Sequence, residues 1–597
     1  MKFFKYLKPF AIAILIIIFL LFLQAKCELS LPSYMSSIVN TGIQQGGIES
    51  SVPKVIRESE YNKVLLLLDE DNDTMLNNNY KLINKNDSKY LKDYPILKDE
   101  SVYILTGKEK NIKDIIVKPL SIMFAVESGQ IPMDKLNIPQ GQTLFDVLSI
   151  MKEEQRIVII NNIYLNFESM PESIIEQAAI SYLKIEYKAI GLSVDDIQKN
   201  YILNTGLLMI GIAFLSMVAS VSVGFIASKI SAKLGKNLRN EVFENVSTFS
   251  NEEFNKFGAS SLITRTTNDI QQVQNMMVFT LRIIFYAPIL GIGGFLKVLQ
   301  TDSSMSWIVA LALGVILFVV ISFFIFAVPK FKIVQSLIDK LNLVTREFLT
   351  GIMVIRAFNT EKHEEKKFNN ANRNLMKTNL FINRTMVLLF PLMMLIMNCV
   401  VILIIWIGAH QINDGIIQVG DMMAFVQYTM QIIMAFLMIT MLSINIPRAA
   451  VSIGRILEVL KIKTNISNPK NPKELKNIKG IVKFNKVSFK YKDADDYVLE
   501  NISFEAVPGK TTAFIGSTGS GKSTLLNLIP RFYDVTEGSI TIDGIDIREI
   551  NKINLRDNIG YIPQKGMLFS GTIKSNLLYG KNDATDKELE DAASIAQ

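Results

Sequence analysis

Thiols are almost absent from this chain: Cys27 and Cys399 are the only two cysteines in 597 residues, and both fall at or inside apolar runs. That excludes a disulfide framework. Histidine is as scarce, with His363 and His410 alone, so no imidazole is available for acid–base work after residue 410. Charge is also thin for a protein of this size, at 20% of residues. Mean hydropathy is +0.27 and 49% of residues are hydrophobic, too apolar for an ordinary soluble enzyme. The formal charge of +7 does not ask for nucleic acid, because the basic residues concentrate in connections between apolar runs.

Six stretches, near residues 9–25, 202–227, 276–296, 307–328, 385–408 and 422–446, are long enough to cross a bilayer, which needs about 20 apolar residues. The first follows Lys2, Lys5 and Lys8 and could be read as a cleaved signal peptide. Cys27 after Leu23-Gln24-Ala25 suggests a lipoprotein signal instead. Lys26 stands where either processing event needs a small residue, so the run is expected to stay as a membrane helix. The N-terminus, the 229–275 connection (Lys229, Lys233, Lys236, Arg239) and the 329–384 connection are basic and share one side if all six runs span. The positive-inside rule makes that side the cytoplasm of a multi-pass cell-membrane protein.

Residues 48–200 then fall outside the cell, and they carry about six more acids than bases. Strand-like runs at 103–106 and 157–160 and an amphipathic helix at 173–190 predict a small α+β domain there. Domain bounds follow: 1–47 for the first span and its extension, 48–200 for the insert, and 201–462 for the other spans with helical cytoplasmic connections. A polar linker with Pro469 and Pro472 occupies 463–477, and residues 478–597 form an α/β unit with strands at 480–484, 498–506 and 539–542.

Chemistry concentrates in that last unit. Gly516-Ser517-Thr518-Gly519-Ser520-Gly521-Lys522-Ser523-Thr524 matches the phosphate-binding loop, between a short apolar strand at 511–515 and a helix at 523–529. In such a loop the glycines let backbone N–H groups close on phosphates, the lysine supplies a point charge, and the serine hydroxyl meets Mg²⁺. The cofactors implied are ATP and Mg²⁺.

Beyond the loop, the residues resemble a known family. Val487-Ser488-Phe489-Lys490-Tyr491 is similar to the adenine-stacking A-loop of ATP-binding cassette (ABC) exporters. Tyr561-Ile562-Pro563-Gln564 is similar to their Q-loop, and Leu568-Phe569-Ser570-Gly571-Thr572-Ile573 with Asn576-Leu577 continues the pattern. Residues 260–269 and 345–358 resemble the two intracellular connections, whose short coupling helices dock on nucleotide domains. Glu28-Leu29-Ser30-Leu31-Pro32 and 38–43 resemble bacterial multidrug-type half-transporters, often paired as heterodimers.

The resemblance implies a six-helix all-α membrane domain fused to an α/β P-loop NTPase domain. It assigns adenine to Tyr491, phosphate to Gly516–Thr524 with Lys522 also catalytic, and Mg²⁺ and the attacking water to Ser523 and Gln564. The implied partners are a second half-transporter chain, a heterodimer ahead of a homodimer, the lipid bilayer and a small-molecule substrate. The insert departs from the family's short loop. No signature motif, catalytic acid or switch histidine follows Gln564, so the sequence is expected to be a fragment with an incomplete nucleotide domain, inactive in hydrolysis alone.

Two features stay open. Met423, Met430, Met434, Met438 and Met441, with Gln427, form a stripe on the sixth run that suits either an adaptable drug surface or ordinary helix packing. Arg282 either faces a cavity or the cytosol, or marks where the third run leaves the bilayer. Other function classes remain: a regulatory half that binds ATP without hydrolysing it, or a sensor reading a ligand through residues 48–200.

Overall fold

A computed structural model describes residues 5–129, 143–168, 170–301, 304–476, 478–492, 494–564 and 566–596. Lys2, Asn477 and Gln597 lie outside the described residues. The chain divides into two compact units, Met1–Lys236 with Gln271–Ile453, and Asn237–Ile270 with Gly454–Gln597.

In the first unit, α1 (Ala11–Ser37) runs into a π-helical stretch, Ile38–Gln44. Its apolar residues point all round. Ile17, Leu21 and Ala25 are buried, while Ile12, Leu15 and Phe19 are exposed, as suits a helix in lipid.

The insert follows. Its β1 (Val55–Arg57) leads into α2 (Glu58–Leu66) and α3 (Glu70–Asn77), then β2 (Tyr80–Ile83), β3 (Val102–Leu105) and α4 (Lys113–Glu127). Three helices complete it: α5 (Leu144–Ile150), α6 (Glu153–Glu168) and α7 (Glu172–Ile190). The strands pair antiparallel in the order β1-β3-β2, and α4 and α7 pack over one continuous core that includes Ile56, Tyr61, Leu120 and Leu183. One expectation fails here. Residues 157–160 are helix, not strand, within α6. Four β-branched residues in a row read as strand, but Ile160 and Ile163 are the buried pair, and that three-residue step is helical.

A buried polar network holds β1 to α7. Arg57 donates to Glu186 through Nη2 at 2.7 Å and Nε at 3.1 Å, and the Arg57 backbone N–H adds a bond of 2.8 Å to the same carboxylate. Tyr182 donates to Glu60, which Lys63 also meets at 2.8 Å.

The remaining long helices are α8 (Val194–Ser247), followed by the short α9 (Asn251–Phe257) and α10 (Ala259–Thr264), then α11 (Ile270–Thr301) and α12 (Ser306–Thr350). After the short α13 (Ile352–Ala357) come α14 (Glu361–Asn413) and α15 (Val419–Lys461). Among the described residues, six helices are long and apolar enough to cross a membrane. With 54 residues, α8 runs about 80 Å at 1.5 Å per residue, far beyond a hydrocarbon core of about 30 Å.

α12 and α14 pack on each other, and Ile316, Met393 and Ile433 tie that hairpin to α15. At the start of α15, Asp421 accepts from Ser36 (2.8 Å) and Asn40 (3.1 Å), while Gly420 N–H donates to Asn40 Oδ1 at 2.7 Å. A side chain at Gly420 would sit 2.5 Å from that oxygen, so glycine is required for the close approach.

In the second unit, β4 (Val482–Phe489), β5 (Leu499–Ala506), α16 (Lys522–Leu528), β6 (Glu537–Ile542) and β7 (Ile545–Asp546) precede three short helices. The sheet order is β5-β4-β6-β7, all antiparallel. Asp543 and Gly544, with φ of +50° and +83°, make the tight Asp-Gly turn between β6 and β7. Asp543 also accepts from the Lys479 and Ile481 N–H groups at 2.8 and 2.9 Å, so its place is structural.

Two sequence expectations change in this unit. Residues 511–515 join no ladder among the described residues, because an apolar run becomes a strand only where a neighbour takes its backbone bonds. Inside the expected linker, Leu475 is buried in the core, with its N–H on Asn554 Oδ1 at 2.8 Å.

Candidate nucleotide site

Helix α16 starts where Gly521 turns the chain, with φ of +85°, and Gly519 has φ of +88°. A Cβ at Gly521 would meet Leu499 at 2.8 Å and the Val498 carbonyl at 3.1 Å, so the loop packs against β5 only as glycine. The Lys522 ammonium bridges the loop, donating to Gly516 O at 2.8 Å, Ser517 O at 2.6 Å and Ser520 Oγ at 3.3 Å. Those bonds fix the loop's one cation among its own backbone groups.

Tyr491 lies 33 positions from Thr524 in the sequence, yet their hydroxyls are 3.1 Å apart. The ring stands edge-on to Phe489 and Tyr533, with centroids 5.0 and 5.4 Å away. It borders a cleft of about 720 Å³ that Tyr533, Lys492 and Asn255 also line. An aromatic wall beside the phosphate loop is where a purine ring stacks.

Ser523 and Gln564 are exposed and make no side-chain hydrogen bond among the described residues. The structure thus joins Tyr491, Thr524 and Lys522 to one loop, with no hydrogen bond between Gln564 and Ser523 among the described residues. The Q-loop segment is tethered by Tyr561, whose hydroxyl donates to Asn527 at the end of α16 (2.9 Å).

Sequence reasoning missed how the first connection meets this site. Lys492 pairs with Glu252 of α9 at 2.9 Å, and Tyr533 lines one cleft with Glu252 and Asn255. Burial, then the neighbouring Tyr491, raises the Tyr533 hydroxyl above its ordinary range, so it stays neutral. Burial alone would raise the Glu253 carboxyl too. Hydrogen bonds from Ser250 and from the Asn465 N–H outweigh that and hold it low, so Glu253 is an ionised cap on α9. No signal short of the fold links residues 251–255 to residue 533.

The donor set fits the implied ligand. Positive-φ glycines, a lysine and hydroxyls suit phosphate oxygens. No cluster of three or more metal-ligating side chains exists among the described residues. Ser523 offers one hydroxyl oxygen, and Mg²⁺ at such loops takes several of its other oxygens from phosphate and water.

Comparison with known proteins agrees. The ABC transporter transmembrane region matches residues 181–436, and the ABC transporter domain matches residues 499–596. An uncharacterized ABC transporter ATP-binding protein of Mycobacterium tuberculosis is 39% identical over 401 residues, covering 66% of this chain and 69% of the relative. A multidrug resistance ABC transporter ATP-binding and permease protein of Lactococcus lactis is 28% identical over 390 residues, 65% of each chain. An ATP-dependent lipid A-core flippase of Desulfotalea psychrophila is 29% identical over 401 residues, 65% of this chain and 68% of the flippase. The chain belongs to the ABC transporter family. It is a multi-pass membrane protein with the membrane region and ATP-binding domain of an exporter half-transporter.

Tyr491→Ala should weaken ATP binding about tenfold or more, the worth of one stacked base, and pyrophosphate binding little. Tyr491→Phe, which keeps the ring and loses the Thr524 bond, should stay near the parent. Competition titrations with both ligands check this. Equal losses for ATP and pyrophosphate would remove adenine from Tyr491.

Proposed function

We propose that this chain is one half of an ATP-driven exporter that carries a hydrophobic or amphipathic compound (drug, lipid or peptide) out of the cell by alternating access. The observation that carries the reading is the loop itself: Lys522 held across Gly516 and Ser517 beside Tyr491, in a chain with six membrane-length helices. When bound, ATP with Mg²⁺ supplies the free energy of closure and hydrolysis. The residues present do the rest. Tyr491 orients the purine, Gly516–Thr524 and Lys522 hold the phosphates, and Ser523 with Gln564 addresses the metal and water. Lys492, paired with Glu252, then relays the state of the site to α9, a coupling helix.

The partner is a second half-transporter chain, a heterodimer ahead of a homodimer. Support comes from α13, at the tip of the α12–α14 hairpin, where Met353, Val354 and Phe358 are 75%, 61% and 74% exposed. That apolar tip suits docking on the partner's nucleotide domain. The multidrug and lipid-flippase names of two relatives support the substrate class.

Sidedness tests the direction of transport. With Cys27 and Cys399 replaced by serine, a cysteine at Asp71 should react with an impermeant maleimide on intact cells, and one at Lys256 only after lysis. Labelling of both, or the reverse pattern, would overturn the placement of the insert outside and of Lys522 inside.

A further inference from the structure

Glu28 sits at membrane depth without a cation. It lies 18 residues after Phe10, about 27 Å along α1 at 1.5 Å per residue, and no Lys or Arg approaches it closely enough to form an ion pair among the described residues. Neutral groups surround the carboxylate instead. Gln24 Nε2 donates at 2.9 Å, Ser216 of α8 at 3.3 Å, and Tyr286 of α11 donates to the other oxygen. Gln431 of α15 donates to the Glu28 backbone carbonyl at 3.3 Å. Ser216, Tyr286 and Gln431 fall mid-way along their own apolar runs, and Glu28 lies three residues past the first run, so four membrane-length helices meet here. Ionisable residues at that depth are costly and mark functional sites.

A second observation says what is missing. The Gln24 side-chain oxygen and the Gln431 side-chain oxygen are both buried with no hydrogen-bond partner, and Gln24 is 6% exposed. One orphaned acceptor belongs to the amide that bonds the Glu28 carboxylate and the other to the amide that bonds its backbone carbonyl, so the surroundings of Glu28 are short of N–H donors and of positive charge. Arg282 does not fill it. That guanidinium is exposed, one turn before Tyr286 on α11, and donates to Ser220 at 3.2 Å.

We infer that Glu28, Gln24 and Gln431 form a cation subsite within the membrane domain, which takes the ammonium or amidinium end of an amphiphile. The carboxylate balances the charge, and the two amide oxygens accept N–H bonds. Tyr286 and Ser216 keep Glu28 oriented while the site is empty. Calling this ligand the cargo rests on the exporter reading above; its binding does not.

The test is equilibrium binding to the full chain in phosphatidylcholine nanodiscs, without ATP. The probes are a dansyl-labelled long-chain primary amine and the alcohol of equal length, read by anisotropy. The parent should bind the amine about tenfold more tightly than the alcohol, a difference of about 1.4 kcal/mol. Glu28→Gln should erase that preference while leaving alcohol binding and ATP binding at Lys522 unchanged, which also reports that the variant is folded. Gln24→Leu should lose part of the preference. Competition by added phosphatidylethanolamine would identify an aminolipid headgroup as the resident occupant, and its absence a free amine. Equal affinity of the parent for both probes would overturn the proposal. So would recovery of amine binding in Glu28→Gln/Arg282→Gln, which would make Glu28 only a counter-ion to Arg282. Because no transport is measured, a chain that failed to export would still give these results.

Discussion

Lys522→Ala should reduce ATP binding at this site at least a hundredfold while leaving the protein inserted in the membrane. Hydrogen bonds to charged groups contribute about 1.5–3 kcal/mol each, and a β- and γ-phosphate pair loses its nearest fixed cation in the variant. A second loss adds to the first. The ammonium also bonds Gly516 O and Ser517 O, so without it the loop's two glycine turns lose two of the bonds that hold them to one shape. Lys522→Arg should not rescue, because a planar fork does not replace a point charge inside a loop this tight. Photolabelling with an azido-ATP analogue checks both variants. Labelling equal to the parent would remove the phosphate site from residues 516–524.

Arg57→Ala should unlock the insert. The Glu186 side chain is 1% exposed and takes three side-chain bonds and one backbone bond from Arg57. Removing the arginine leaves a carboxylate buried without its partner, which costs about 3–5 kcal/mol, a large share of the about 5–15 kcal/mol that stabilises a typical domain. Amide exchange in β1 and β3 should accelerate about a hundredfold or more, with the 516–524 loop unaffected. Replacing both partners, Arg57→Met with Glu186→Leu, should restore much of the protection, because apolar pairs fill such sites without a desolvation cost. Exchange unchanged in Arg57→Ala would mean that the network is not what fastens β1 to α7.

What could be read from the sequence was local. The phosphate loop, the helix after it and the six long apolar runs are encoded within windows of a few to about 20 residues. Tyr491 was legible as an aromatic in a motif, but its bond to Thr524 was not, since only the β4–α16 packing brings the two together. The same holds for Glu252 at Lys492. At 157–160 the composition favoured a strand, and burial of Ile160 with Ile163 made it helix. At 511–515 the composition was right for a strand, yet pairing belongs to neighbours and not to the run itself. The methionine stripe shows a different limit. Within this chain α15 buries Ala424, Phe425, Tyr428, Ile432 and Ile433, while Met423, Met434 and Met441 stay 37–63% exposed. Periodicity found a face of the helix but not what the face meets. Glu28 was hidden for a related reason: in the sequence it stood only as the first residue of the Glu28–Pro32 resemblance, and Ser216 and Tyr286 close around it only in the fold.

The central claim is that ATP held by Lys522 and Tyr491 drives outward movement of an amphipathic compound. Inside-out vesicles containing this chain and its partner half-transporter measure it directly, through accumulation of a fluorescent amphipathic amine after ATP is added. The account predicts uptake that requires ATP and Mg²⁺, vanishes in Lys522→Ala and is absent with ADP. Uptake that persists in Lys522→Ala, or that proceeds equally well with ADP, would contradict it.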